Sequence, residues 1–383
     1  MEYRLKEILQ DKGYIRGPFG SSLKRNELKS TGIPVYEQQH AIYATREFRY
    51  YIDEEKYSQM KRFTVKPKDL IISCSGTIGK VDLISEKDPI GIISQALLIL
   101  RANTDIVLPE YLFYFLKSDY GYNSIISRSM GSVQVNIAKR EVIENIKINI
   151  PSLKEQEKIV KILSNIDEKI KLNNQINDNL FKIGDQLYFE NFDKYKKELP
   201  DGYRIVKLGD AVSNYDSKRK PMSSRERELH QGLYPYYGAT SIIDYVDDYI
   251  FDDTYLLMGE DGTVKTDEGY PVLQYIWGKN WINNHAHVLK GEKISTEFLV
   301  FALRKINIES MITGAVQPKI NQENMNKIEF VIGTESKNRE YENIFTNIMN
   351  KYKNIIEENK RLEQLRDILL PKLMNGEINL DKI

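Results

Sequence analysis

Gly131-Ser-Val-Gln-Val-Asn-Ile137 returns as Gly314-Ala-Val-Gln-Pro-Lys-Ile320. Each stretch leads into a short apolar, strand-like run, Ile146 to Ile150 in the first case and Ile328 to Ile332 in the second, and then into a long helical pattern. Self-similarity of this kind governs every later reading, because a duplicated chain folds as duplicated units. Outward from the repeat, other stretches match in the same order. Ile33-Pro-Val-Tyr36 answers Tyr234-Pro-Tyr-Tyr237, Ser75-Gly-Thr77 answers Asp261-Gly-Thr263, and Glu110-Tyr-Leu112 answers Glu297-Phe-Leu299. Tyr3-Arg-Leu5 and Tyr203-Arg-Ile205 supply matching starts. The chain reads as two copies of one unit, a globular domain followed by a long helix.

Within each copy, strand-like runs alternate with glycine turns. Asp69-Leu-Ile-Ile-Ser73 runs into Ser75-Gly-Thr-Ile-Gly79, and Ile90 to Arg101 is again rich in Ile and Leu. Pro109 and Glu110 then open a helix that carries Leu112, Phe113 and Leu116 at helical spacing. The second copy repeats this with strands near Tyr255–Met258, Tyr270–Trp277 and Ala286–Leu289 and a helix from Thr296. The fold class is α+β: two similar mixed α/β domains separated by two long antiparallel coiled-coil helices, with a pseudo-two-fold internal repeat. The expected boundaries are 1–150 and 193–333 for the domains, 151–192 for the central helix, and 334–383 for the C-terminal helix and tail.

The first helix places Ile159, Ile162, Ile166, Ile170, Ile176, Leu180, Ile183 and Leu187 at three-four spacing; the second does so with Tyr341, Ile344, Ile348, Tyr352, Ile355, Leu362, Leu365 and Leu369. Lys, Glu, Asn and Asp fill the positions between, so one stripe is buried and the other meets water. About thirty residues make a rod of roughly 45 Å. Two such rods in one chain are each other's obvious partner, which makes them a ruler between the domains. The alternative is that each helix covers its own domain.

Composition narrows the class. With 383 residues, 41% hydrophobic and 29% charged, the chain can form two or three cores and is too apolar to be disordered. No long apolar run or leader-like segment is present, and the single cysteine, Cys74, rules out an internal disulfide and a thiolate zinc site; a cytoplasmic protein is expected. The formal net charge is zero, which excludes a bulk electrostatic DNA coat. Residues 1–150 nevertheless hold 22 Lys plus Arg against 18 Asp plus Glu, whereas 200–333 hold 15 against 19. Local basic clusters stand out at Lys24-Arg25, Lys61-Arg62, Lys139-Arg140 and Lys218-Arg219-Lys220 followed by Arg225 and Arg227. Any one such pair also fits a solvated face.

Catalytic motifs are missing. Gly76-Thr-Ile-Gly-Lys80 resembles a phosphate loop, but Cys74 stands at the first glycine position and Val81 where a magnesium-binding hydroxyl belongs. No dinucleotide fingerprint and no Asn- or Asp-Pro-Pro-aromatic tetrapeptide of amino-methyltransferases occurs. His285 and His287 alternate on a strand near Glu260 and Asp261, a pattern that packing histidines share with metal ligands. No metal site is expected. The chain binds and positions.

Amide side chains suit adenine and Lys or Arg suits guanine and phosphate, so polar loops at matching places are the candidate DNA contacts. The first copy offers Ser21, Ser22, Lys24 and Arg25, then Gln38, Gln39 and His40, then Thr77 and Lys80, then Lys139 and Arg140. The second offers Ser217, Lys218, Arg219 and Lys220, then Thr240 and Ser241, then Thr263, Lys265 and Lys319. Gln134 and Gln317 recur in the Gly-x-Val-Gln turn, where capping of backbone groups is an equal alternative.

Ile150-Pro-Ser-Leu-Lys-Glu-Gln-Glu-Lys-Ile-Val160, Gly202-Tyr-Arg-Ile-Val-Lys-Leu-Gly-Asp210 and Leu369-Leu-Pro-Lys-Leu-Met-Asn-Gly-Glu-Ile378, in this order with the repeat, give the chain its family resemblance. Over essentially its whole length it resembles the specificity subunit of Type I restriction-modification enzymes. The resemblance implies two target recognition domains, each reading one half of a bipartite double-stranded DNA site. The helices would set the half-site spacing and dock two methyltransferase (modification) subunits, with restriction/translocase subunits beyond them. S-adenosylmethionine, ATP and magnesium would belong to those partners and not to this chain. Half-sites on one face of B-DNA lie roughly 34 Å apart, within reach of the rod. One departure is Gly333-Thr-Glu-Ser-Lys337, which replaces the Pro-Ser-Leu-Lys-Glu-Gln entry in the second copy. Two other readings stay open: a specificity protein for a single-chain methyltransferase-nuclease, and a coiled-coil adaptor that binds protein.

Overall fold

The computed structural model describes residues 1–19, 22–126, 137–314 and 317–378. By its contacts the chain divides into two compact units, Met1–Ile170 with Lys360–Ile383, and Lys171–Asn359. The first unit runs through β1 (Glu2–Arg4), β2 (Leu9–Arg16), β3 (Ile33–Tyr36), α1 (Gln38–Tyr43), β4 (Tyr51–Ile52), α2 (Glu54–Met60), β5 (Leu70–Ser73), β6 (Val81–Leu83), β7 (Ile92–Ile93), β8 (Leu97–Ala102), α3 (Pro109–Lys117), α4 (Asp119–Ile126), α5 (Arg140–Glu144) and β9 (Lys147–Asn149). A long helix, α6 (Leu153–Asn191), follows. In the second unit come β10 (Arg204–Lys207), β11 (Val212–Asn214), α7 (Ser224–Leu229), β12 (Gln231–Tyr237), β13 (Ile242–Val246), β14 (Phe251–Asp252), β15 (Tyr255–Gly259), β16 (Leu273–Ile276), β17 (Lys279–Ile282), β18 (Ala286–Gly291), α8 (Thr296–Leu303), α9 (Gln322–Asn326), β19 (Glu329–Ile332) and the second long helix, α10 (Glu335–Met374).

Each domain is built on a four-stranded antiparallel sheet, β2-β8-β5-β6 in the first and β11-β18-β15-β16 in the second. Its central strands are largely apolar because both faces are covered. Leu70, Ile72, Leu98 and Leu100 face a core shared with α3 and the start of α6, whereas Ile71, Leu97 and Ile99 join Tyr36 and Ala41 on the other side. The two-residue period of a strand divides one run between two cores. Leu256, Met258 and Leu289 against Leu257 and Val288 do the same in the second domain.

The backbone hydrogen bonds align the copies residue by residue. The Cys74 amide donates to the Ala96 carbonyl and its own carbonyl accepts from Ile137; the Glu260 amide donates to His285 and its carbonyl accepts from Ile320. Tyr36 and Tyr237 likewise end strands that pair parallel with β7 and β17. The matching start shifts by three residues. Leu5 donates to Ile146 and Leu208 to Ile328, so Tyr3-Arg-Leu5 corresponds to Val206-Lys-Leu208 and not to Tyr203-Arg-Ile205.

The helices have 39 and 40 residues, longer than the expected thirty. Within the first unit, Ile159 and Leu163 of α6 share a core with Leu370 and Leu373 of α10, and Arg366 pairs with Asp167 at 2.8 Å. Within the second, Tyr188 and Phe192 pack with Tyr341 and Phe345, and Phe181 lies against Tyr352. Rising numbers on one helix meet falling numbers on the other, so the pairing is antiparallel in each unit. Ile159, Ile166 and Ile355 are buried as expected, and Ile162, Leu180, Ile344, Ile348, Leu362 and Leu369 are half-buried.

Past Ile170, however, the buried line is Asn173, Asn177, Gly184 and Tyr188, leaving Ile176 and Ile183 at 41% and 51% exposure. Leu365 is also exposed, while Leu370 and Leu373 are buried. Part of the polar seam pairs across the two helices, whereas the buried Oδ1 of Asn177 has no hydrogen-bond partner among the described residues. Asn173 donates to Asn359 Oδ1 at 2.8 Å and Asn359 to Asn174 Oδ1 at 2.9 Å. Gly184 is required because a Cβ there would lie 2.1 Å from the Phe301 ring.

The helix entries explain the departure between copies. Ser152 caps α6 with Glu155 in a reciprocal box, and buried Gln156 accepts from the Leu108 amide at 2.8 Å while donating to Ile106 and Pro151. In the second copy these tasks are divided. Asn338 donates to Gly333, five residues back as Gln156 does to Pro151, and Glu342 accepts from the Ser295 amide, which precedes α8 as Leu108 precedes α3.

Candidate nucleic-acid interface

Several of the candidate contacts lie on water-facing turns. Ser22, Lys24 and Arg25 are exposed ahead of β3, and Thr77 and Thr263 sit beside Gly76 and Gly262, whose φ angles of +64° and +78° demand glycine. Lys80 is exposed with its ammonium 4.8 Å over the Tyr122 ring. Ser217, Lys218 and Lys220 are exposed, Lys218 lying over Tyr215, and Thr240 and Ser241 form the exposed β12–β13 tip. Gln317 is exposed. Ser21 and Gln134 lie outside the described residues.

Others are corrected. His40 is completely buried, accepting from the Glu37 amide through Nδ1 and donating through Nε2 to the Glu47 carbonyl while stacking on Phe48. Burial lowers its pKa, so it is a neutral core residue. Gln38 accepts from the Ser75 amide and Gln39 donates to the Glu47 carbonyl, so both fix α1 to neighbouring loops. Lys265 is paired with Glu309 at 2.6 Å.

Arg219 departs furthest from its expected role. Its guanidinium donates to Glu260 Oε2 at 2.6 Å and to the Ala286 carbonyl at 2.7 Å, at the centre of a buried network. Lys319 approaches Glu260 at 3.3 Å, and His287 meets Asp216 through Nδ1 at 2.6 Å and the Ile320 carbonyl through Nε2 at 2.9 Å. Burial pushes the Asp216 carboxyl up, but His287, the Val288 amide and Arg219 together pull it below the ordinary range. Asp216, Glu260 and His287 converge closely enough to ligate a metal. Arg219 and Lys319 already neutralise the carboxylates, however, and both His287 nitrogens are engaged, so the arrangement is an ion-pair network. His285 pairs with Asp261 instead.

The matching corner of the first domain is an open cleft lined by Tyr14, Arg16, Phe19, Arg62, Phe63, Lys139 and Arg140. Lys139, Arg140 and Arg62 are exposed, as is Phe19 at 70%. Sequence reasoning marked Lys61-Arg62 and Lys139-Arg140 as separate basic pairs. It missed Arg16 and Phe19 because they bracket a Gly-Pro turn, and only the fold brings these segments together.

Residues 2–181 and 200–366 match the model of the Type I restriction modification DNA specificity domain. Over 358 residues the chain is 23% identical to the type I restriction enzyme MjaIX specificity subunit of Methanocaldococcus jannaschii, covering 83% of this chain and 81% of that protein. A shorter stretch of 121 residues is 36% identical to S.HindORF215P of Haemophilus influenzae, a candidate type I restriction enzyme specificity subunit, and spans 31% of this chain and 30% of that one. Among solved structures, the S subunit of the Type-I restriction-modification system of M. genitalium shares the fold, with a TM-score of 0.59 at 16% identity over 97% of this chain and 95% of that one.

Proposed function

The chain belongs to the Type I restriction modification DNA specificity family, and on that premise we propose that it is the non-catalytic sequence-recognition subunit of such a system, each domain reading one half of a bipartite double-stranded DNA site. The observation that carries this reading is the contrast between frame and loops. The copies share backbone hydrogen bonds down to single residues, while the exposed turns around Ser22–Arg25 and Ser217–Lys220 carry different side chains. Such a design lets two readers hold different sequences on one scaffold.

The two long helices set the half-site spacing and dock methyltransferase subunits. Leu172, Ile176 and Ile183 support the docking role: they form a water-facing apolar stripe of α6, at 49%, 41% and 51% exposure, which a helix serving only its own chain has no reason to keep. S-adenosylmethionine, ATP and magnesium are assigned to the partner subunits. Among the described residues no helix is long and apolar enough to cross a membrane.

The test is co-expression with the accompanying methyltransferase subunit and a genome-wide map of adenine methylation. A split motif that disappears with this gene, and changes in one half only when residues 1–150 are exchanged, is the expected result. Methylation indifferent to this gene would overturn the reading in favour of a protein-binding adaptor.

A further inference from the structure

The same corner of the two domains is built with opposite electrostatics. Arg16 Nη1 donates to the Leu97 carbonyl at 3.0 Å, as Arg219 Nη1 does to the Ala286 carbonyl at 2.7 Å. The two guanidinium groups therefore hold equivalent places. Around Arg219, Asp216 and Glu260 absorb the charge within 3.5 Å. Around Arg16 the place of Glu260 belongs to Cys74, a buried neutral thiol.

Most of the charge on the first side is not cancelled elsewhere. Arg16, Arg62 and Arg140 each lie over a ring of the cleft, Phe19 at 6.0 Å, Phe63 at 6.0 Å and Tyr14 at 5.0 Å. Contact with an aromatic face orients a cation without neutralising it. Among the described residues only Arg140 has a carboxylate partner, Glu144 at 2.7 Å; Arg16, Arg62 and Lys139 have none. In the second domain the residues that open α9 where Lys139 and Arg140 open α5 are Asn321 and Gln322. Four cations converging on one cleft of a chain with zero formal charge repel one another, a cost that an anion in the cleft offsets.

We propose that this cleft of the first domain grips backbone phosphates of DNA, and that the second domain has no equivalent grip at its own corner. The two half-sites are then held unequally: the first through sequence-independent charge, the second with its matching guanidinium locked inside the protein. The inference rests on the reading of the chain as a DNA-recognition subunit.

The test uses the full complex with its methyltransferase subunits and a duplex carrying the methylated motif. The variant R62A/K139A removes two exposed cations that have no hydrogen-bond or carboxylate partner among the described residues, so folding is spared. Each phosphate neutralised contributes about 0.9 to the slope of log affinity against log salt, so the variant should lose a slope of about 1 to 2 and weaken cognate and non-cognate duplexes alike. Neutral methylphosphonate linkages in the first domain's half-site should weaken the wild type more than the variant, which keeps only Arg16 and Arg140 in the cleft. A variant with the wild-type slope, in a complex that still binds its motif, would overturn the cleft and leave the recognition reading standing. A wild-type complex that shows no motif preference would overturn both.

Discussion

Cys74 and Glu260 stand at one point of one backbone frame, yet the first is a neutral thiol and the second the centre of an ion-pair network. Burial pushes the Cys74 thiol up to about 12. The frame tolerates both because it is made of main-chain hydrogen bonds, to Ala96 and Ile137 in one copy and to His285 and Ile320 in the other. Side chains that do not hold the frame are free to diverge, and here they decide which guanidinium group faces water.

The comparison is broken most severely at Glu260. Glu260→Ala leaves the Arg219 guanidinium, 12% exposed, without its closest carboxylate. Removing one partner of a buried pair costs about 3–5 kcal/mol, and the loss here should lie at the lower end because Asp216 stays 3.5 Å from the guanidinium. Cys74→Ala removes only a small apolar group and should cost about 1 kcal/mol. Chemical denaturation of the full chain followed by a probe in each domain measures both. Equal losses would mean that the network contributes nothing beyond packing.

The helix entries come next. Gln156 serves three backbone groups at 2.8–3.0 Å, whereas Asn338 and Glu342 divide the equivalent work. Gln156→Ala strands the Leu108 amide and should cost about 2–3 kcal/mol; Glu342→Ala, which removes a half-buried side chain where Gln156 is fully buried, about 1 kcal/mol. The same denaturation experiment ranks them, and a reversed order would show that the division between two residues carries no advantage.

Acid distinguishes the copies more gently. Asp216 has a folded-state pKa below its ordinary value of 3.8, so the stability it contributes is present above that value and is lost as pH falls through the depressed one. The second domain should therefore lose stability below about pH 3.8 in a way that Asp216→Asn abolishes. Asp216 belongs to the second domain, so the acid limb of the first domain should be the same in both proteins.

How much of this was legible in the sequence follows from where each signal resides. Tyr36 and Tyr237 were matched correctly because apolar strand residues with a proline are constrained by the sheet. Tyr3-Arg-Leu5 was matched three residues early because a second Tyr-Arg-aliphatic run happens to precede the true partner, Val206-Lys-Leu208. His40 and Arg219 carried loop-like polarity, but their partners are backbone carbonyls and a carboxylate distant in sequence, which no local pattern reveals. The cleft of Arg16, Arg62 and Lys139 is assembled from three separate segments. Polarity can be read from a sequence; whether it is spent inside the protein cannot.

The two portions of α6 carry the same lesson to its smallest effect. In the first unit the seam is Ile159, Leu163 and Ile166, of which hydropathy finds Ile159 and Ile166 and takes half-buried Ile162 for Leu163; in the second it is Asn173, Asn177 and Gly184, and hydropathy selects Ile176 and Ile183 one residue away. A seam residue of the second unit is chosen for register, as Asn173 meets Asn359, or for clearance, as Gly184 admits Phe301. Ile176 and Ile183 are therefore released from the fold. Replacing both with serine should change the stability of the chain by under about 0.5 kcal/mol, the usual range for exposed positions. If the stripe serves a partner, the same variant should lower the yield of complex with the methyltransferase subunit in co-purification. A variant that unfolds would return these residues to the seam, and one that assembles normally would leave the stripe without a partner-binding role.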